Sequence, residues 1–232
     1  ETMRIYIYLS IAIIIISVII NLSYNLFYGR KIMQILKMER KDYPAVGEAV
    51  YQTTLRNGLK VFLLPKRDFN ETYGIMTANF GSIDTSFIPR GSNQAVQYPA
   101  GVAHFLEHKL FTKKNGDISQ RFEAVGASTN AFTTYNETMF YASFTEHWRQ
   151  VLPLIFELVG TTHFTKSNVT KEAKIIAQEL AMYQDDPNWQ VNYELMQMMF
   201  PKTNLAEDLT GTKASLKKMT PEILQEIYDN NY

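Results

Sequence analysis

The chain alternates between two hydrophobic rhythms, one near two residues and one near 3.6, and each change of rhythm marks an element. Tyr51 to Arg56 and Lys60 to Leu64 are extended runs on either side of Asn57-Gly58, which predicts a β-hairpin. Thr72 to Phe80 predicts a third strand ended by Gly81, with Gly81-Ser82-Ile83-Asp84 as a turn. Residues 85–101 hold two Pro and two Gly and few periodic apolar positions, and read as a surface loop. Helical spacing then takes over: Phe105, Leu106, Leu110 and Phe111 form an apolar stripe, with Pro99 and Gly101 just ahead of it. Ile118 to Val125 predicts a short helix closed by Gly126, and Ser128 to Tyr135 with Thr138 to Thr145 a strand pair around Asn136-Glu137. Glu146 to Gly160 predicts a helix with Trp148, Val151, Leu152, Ile155, Phe156 and Val159 turned inward. Asn168 to Asp186 predicts another, stopped by Pro187. Met196, Met198, Met199 and Phe200 read as core.

Residues 5–28 follow neither rhythm. Ile5 to Ile20 is Ile, Tyr, Leu and Val throughout, apart from Ser10, Ala12 and Ser17. As a helix this segment would span about 36 Å, against about 30 Å for a bilayer's hydrocarbon core. Tyr6, Tyr8, Tyr24 and Tyr28 lie towards its ends, where aromatic belts form. Arg30, Lys31, Lys37, Arg40 and Lys41 follow it and only Arg4 precedes it, so the positive-inside rule places the remainder in the cytoplasm. No small-x-small cleavage site closes the run, which argues against a signal peptide. A second reading stays open, in which the protein begins at Met33 or Met38 and an upstream extension supplies the apolar run. Residues 1–43 are thus read as an apolar helix with a charged connector (37–42), and 44–232 as the globular domain, beginning near Pro44.

Composition narrows the function classes. The 23 basic and 23 acidic residues balance, so no basic surface argues for nucleic acid. The absence of cysteine excludes disulfides and thiolate chemistry. A 46% apolar content over 232 residues suffices for a sizeable core.

The chemistry gathers on the stripe helix, which contains His104-x-x-Glu107-His108. Two histidines four apart lie one above the other on a helix and can supply two of zinc's ligands. Glu107 lies on the same side, within reach of a water without having to ligate the metal. A histidine pair on a helix is also often no more than a polar face. Further along, Glu172, Ile175, Ile176, Glu179 and Tyr183 fall at i, i+3, i+4, i+7 and i+11, one helical face. Carboxylates among isoleucines are costly to bury without a partner, and a zinc ion carrying two imidazoles is such a partner. Glu179 then becomes the third ligand, and Glu172 sits behind to orient a ligand histidine through its second nitrogen. The alternative is a solvated carboxylate face.

These residues resemble the insulinase-like (pitrilysin) zinc metallopeptidases. That family's signature is His-x-x-Glu-His followed by a distant Glu, with a second Glu seven residues before the distant one; His104, Glu107, His108, Glu172 and Glu179 match. Asn130-Ala131-Phe132-Thr133 matches the family strand bordering the cleft, and Asn57-Gly58-Leu59, Gly81-Ser82 and Met182-Tyr183 with Pro187 fall in family order. The resemblance implies an α+β, mitochondrial-processing-peptidase-like domain, a mixed, mainly antiparallel sheet packed against helices. It implies Zn2+ as cofactor, peptide-bond hydrolysis with Glu107 as general base, and substrate contacts at Asn130, Ala131 and Phe132. Family members close two homologous halves on a peptide or small protein. This sequence stops before the first domain's last strand and lacks the second half's substrate-binding Arg and Tyr, so a second half or a homologous partner subunit is expected to complete the site. Gly81-Ser82-Ile83-Asp84, His104 to Phe111 and Asp186-Pro187-Asn188-Trp189 are similar to a Gram-positive branch associated with the 5-aminopentanol modification of elongation factor P. The rival expectation is therefore a non-catalytic peptide-binding subunit of a processing or elongation factor P modification complex. His147 and His163 read as surface residues.

Overall fold

The structure, a computed structural model, describes residues 38–232. The expectations for residues 5–28 lie outside the described residues. Among those described, no helix is long and apolar enough to cross a membrane.

An antiparallel sheet opens the fold, ordered β1 (Glu39–Tyr43), β2 (Glu48–Thr54), β3 (Lys60–Leu63). The expected hairpin is present as β2–β3, with Thr54 opposite Lys60. Leu55 N donates to Leu59 O at 2.8 Å, so Arg56-Asn57-Gly58 forms a loop one residue wider than a two-residue Asn-Gly turn. Gly58 supplies the positive φ (89°) that closes such a loop. Residues 37–42 were expected to form a connector, yet Glu39–Tyr43 pairs with β2 along its whole length. The strand escapes a hydrophobic-pattern reading because every one of its residues is exposed, leaving no apolar alternation to see.

β4 (Thr72–Ala78) ends before Phe80, and Asp84 N donates back to Gly81 O at 3.1 Å in the expected turn. The region expected as a plain loop contains a small ladder, β5 (Ser86–Phe87) with β6 (Val96–Gln97), pinned by the stacked rings of Phe87 and Tyr98 at 4.6 Å. Then come α1 (Val102–Phe111), β7 (Thr112–Lys113), β8 (Gly116–Asp117) and α2 (Ser119–Glu123). β9 (Ser128–Thr133) and β10 (Thr138–Phe144) form the second expected hairpin. With β4 they make the central sheet, order β4-β10-β9, all antiparallel. Helices α3 (Trp148–Gly160), α4 (Lys166–Gln184), α5 (Pro187–Met199), α6 (Lys213–Leu216) and α7 (Pro221–Asn231) complete the chain. Pro187 does not only stop α4. It opens α5, where its missing N–H costs nothing, and Asp186 caps that helix by accepting from Asn188 N at 2.9 Å.

One face of the central sheet, Met76, Ala78, Phe140, Ala142 and Phe144, packs with α1 and α3 into the main core. Alternation along β10 assigns that face: Phe140, Ala142 and Phe144 are buried while Tyr141 between them is only partly so. The methionine cluster is the clearest departure from expectation. Met198 and Met199 are exposed, and α5 buries no residue at all.

Candidate metal centre

The site is built on α1, which is buried on every side rather than along one stripe: Val102 through Glu107, Lys109 and Leu110 are all buried. Its start is fixed by two glycines. Gly101 has φ +81° and its absent Cβ would collide with Thr210 O, while Gly211, φ +83°, has Ala100 O in the same relation. The backbone of residues 210–211 thus lies directly against the head of α1, a closeness that only glycine permits.

α4 crosses α1 so that three ligand-type side chains converge. His104 Nε2 lies 3.8 Å from Glu179 Oε1, and His108 Nε2 lies 3.5 Å from Glu179 Oε2. One donor atom from each residue falls within 4.8 Å of the other two, and this is the one such group among the described residues. Tetrahedral zinc with bonds of about 2.0–2.1 Å holds its donor atoms about 3.3–3.5 Å apart, so the set fits a divalent ion by contracting from separations of up to 4.8 Å.

Each flank of the set is braced. Glu172 Oε1 sits 3.2 Å from His108 Nδ1, which leaves Nε2 aimed at Glu179. Tyr183 donates its hydroxyl to Glu179 Oε1 at 2.9 Å, and Thr133 donates to Glu107 Oε2 at 2.5 Å. Lys109, buried beside His108, reaches Glu172 Oε2 at 3.3 Å.

Burial sets the electrostatics. It drives His104 down to about 3, helped by the neighbouring His108 and opposed by Glu172, so this imidazole is neutral and its lone pair free for a cation. Burial also pushes the Glu107 carboxyl up, against the Thr133 hydrogen bond. For His108, burial works downwards, but the hydrogen bond with Glu172 and the charges of Glu107 and Glu179 outweigh it and raise the pKa. Glu172 is lowered overall, because His108 and Lys109 overcome its own burial.

Most expected site residues meet here. Asn130, Ala131 and Phe132 lie on β9, an outer strand of the central sheet that packs on α1. Asn130 and Phe132 are exposed, and Asn130 Oδ1 accepts from Ala131 N at 2.8 Å. Ile175 departs from its expected face and is exposed, whereas Ile176 is fully buried; position 175 falls at the rim of the arc through 172, 176, 179 and 183. His147 is exposed and His163 half-buried, neither grouped with other ligand-type residues. The contacts of Lys109, Thr133 and Tyr183 were not foreseen. Thr133 and Tyr183 stand within recognisable stretches, and Lys109 follows the signature directly.

A His-His-Glu set, buried at His104 and half-buried at His108 and Glu179, beside the buried Glu107 carboxylate on an α+β scaffold has the donor chemistry of a zinc site. Residues 85–213 match the family model for insulinase, peptidase family M16, and the chain belongs to that family. It is 40% identical over 191 residues to the uncharacterized zinc protease YmfH of Bacillus subtilis, covering 82% of this chain and 45% of that protein. The fold is similar to an M16-like peptidase from Alicyclobacillus acidocaldarius (TM-score 0.75, 35% identity, 85% of this chain and 44% of that one). It is also similar in fold to the inactive M16 domain from Pseudomonas fluorescens (TM-score 0.67, 18% identity, 79% and 43%). The chain therefore spans less than half the length of the relatives it matches.

Proposed function

We propose that this chain is the zinc-binding part of an endopeptidase acting on peptides or small proteins, with His104, His108 and Glu179 as metal ligands and Glu107 as general base. The observation that carries the reading is the convergence of those three ligand atoms within 4.8 Å, beside a buried Glu107. Held by His104, His108 and Glu179, zinc would supply Lewis acidity for the attacking water and the scissile carbonyl. Glu107 takes the proton of the attacking water and passes it to the leaving amine; a carboxyl whose proton affinity is raised by burial suits both transfers. Thr133, the last residue of β9 and next to Phe132, keeps that carboxylate in place. A substrate peptide adds to the open edge of β9, with Asn130 and Phe132 beside it and the Ala131 amide, now held by Asn130, released to bind it. A second homologous half or partner subunit completes the cleft. The charges around residues 5–28 support a cytoplasmic setting.

A non-catalytic peptide-binding subunit, of a processing or elongation factor P modification complex, is the second reading, favoured by the fold likeness to an inactive domain. Glu107→Gln separates the two. As an enzyme the variant keeps stoichiometric zinc and loses about 10²–10⁴-fold in peptide turnover. Unchanged turnover, or purified protein without zinc, defeats the first reading.

A further inference from the structure

We propose that Lys109 is a positioning residue for the metal centre, fixing Glu172 so that its carboxylate keeps His108 turned towards Glu179; this rests on the zinc reading above. Lysine is almost never fully buried unless paired. Lys109 is 1% exposed, and its Nζ has two oxygen partners, Thr112 Oγ1 at 3.0 Å and Glu172 Oε2 at 3.3 Å. The other oxygen of the same carboxylate, Oε1, is the one facing His108 Nδ1 at 3.2 Å. Glu172 is thus gripped at both oxygens by consecutive residues of α1. Neighbours on a helix point about 100° apart, so a carboxylate crossing from α4 can touch both only in a narrow range of orientations. With Oε2 tied to Lys109, Oε1 cannot swing away from the imidazole. The imidazole, donating from Nδ1, presents the Nε2 lone pair to the metal position. Thr112, at the end of α1, ties the ammonium down in turn.

This arrangement serves one histidine of the pair. His104 Nδ1 is buried and without a hydrogen-bond partner among the described residues, so its ring has no polar brace on the side away from Glu179. His108 is the ligand whose orientation depends on a polar chain, Thr112 to Lys109 to Glu172.

The test compares wild-type protein, Lys109→Met, Glu172→Gln and the double variant, by Zn2+ competition against a chromophoric chelator and by the visible spectrum of the Co2+-loaded protein. Lys109→Met keeps the buried stem and removes the charge. It is expected to weaken Zn2+ binding about 10-fold and to shift the Co2+ bands, while Glu172→Gln weakens it by about 10–100-fold. Because both act through one carboxylate, the double variant should bind within about twofold of Glu172→Gln alone. A Lys109→Met protein with wild-type Zn2+ affinity and an unchanged Co2+ spectrum overturns the proposal, whatever its melting temperature, and leaves the three-ligand reading standing. Wild-type protein that binds neither ion overturns both. Should Lys109→Met fail to fold, Lys109→Gln, a neutral side chain that still donates, is read against the same two measurements.

Discussion

Helices α1 and α5 invert one another. Both mix apolar and polar residues, yet α1 buries its polar groups while α5 exposes its apolar ones. His104, Glu107 and Lys109 are buried on α1, whereas Val191, Leu195, Met198 and Met199 on α5 all stand in solvent. The two situations differ in cost. An exposed methionine merely forgoes burial, but a buried imidazole, carboxylate or ammonium must be offset by a specific partner. On α1 those partners arrive from elsewhere in the chain: Thr133 for Glu107, Glu172 for His108 and Lys109. The chemistry sits where the burial of polar groups is hardest to sustain. Helix polarity alone therefore misleads about burial, while unlike residues packed at a helical period are informative.

The contrast can be broken first at the carboxylates. Glu179→Ala removes a side chain that faces both histidines of α1, and Glu194→Ala removes one exposed on α5. The first should weaken Zn2+ binding by more than the about 10–100-fold typical of outer-shell partners, and the second should leave it unchanged. Equal affinities for the two variants would mean that α4 does not complete the site. Next in size is the core side of α1. Leu110 is fully buried, so Leu110→Ala should cost about 2–5 kcal/mol in urea unfolding. A loss below about 1 kcal/mol would contradict an all-round buried helix.

How far the site could be read from the chain follows the same division. His104, Glu107 and His108 are legible because helical spacing alone stacks them, and Glu172 with Glu179 because two turns bring them to one face. Lys109 was not legible: a lysine after a histidine reads as solvated, and its burial depends on a carboxylate that only the packing of α4 on α1 brings near. β1 escaped for the opposite reason, since a strand exposed on both faces leaves no hydrophobic period. The methionines of α5 misled because clustered apolar residues ordinarily mark a core, and helix α5 turns Trp189, Tyr193 and Met196 inward instead, with Phe200 just beyond its end, all partly buried.

A smaller effect sharpens the comparison within the buried class. Lys113, like Lys109, is buried, but its Nζ donates to main-chain oxygens at the end of α3, Leu158 O at 2.8 Å and Thr161 O at 2.5 Å. Lys113→Met leaves those carbonyls without this donor and should cost about 1–3 kcal/mol. Burial lowers this ammonium from 10.5 to about 8, with Glu157 opposing. The unfolded chain therefore binds more protons between those values, so wild-type stability should gain on Lys113→Met as pH rises from about 8 to 10.5. A constant difference across that window would show that folding does not lower the pKa of this ammonium.

The least effect belongs to α5. Met198 is 80% exposed, so Met198→Lys trades solvated thioether for solvated ammonium and buries nothing. Its unfolding free energy should stay within about 0.5 kcal/mol of wild type, the ordinary range for surface substitutions, and Zn2+ affinity should not move. The value lies in what a larger loss would mean. If Met198→Lys cost as much as Leu110→Ala, the apolar stripe of α5 would have to be covered in the protein in solution, and the inversion between α1 and α5 would hold only for residues 38–232 taken alone.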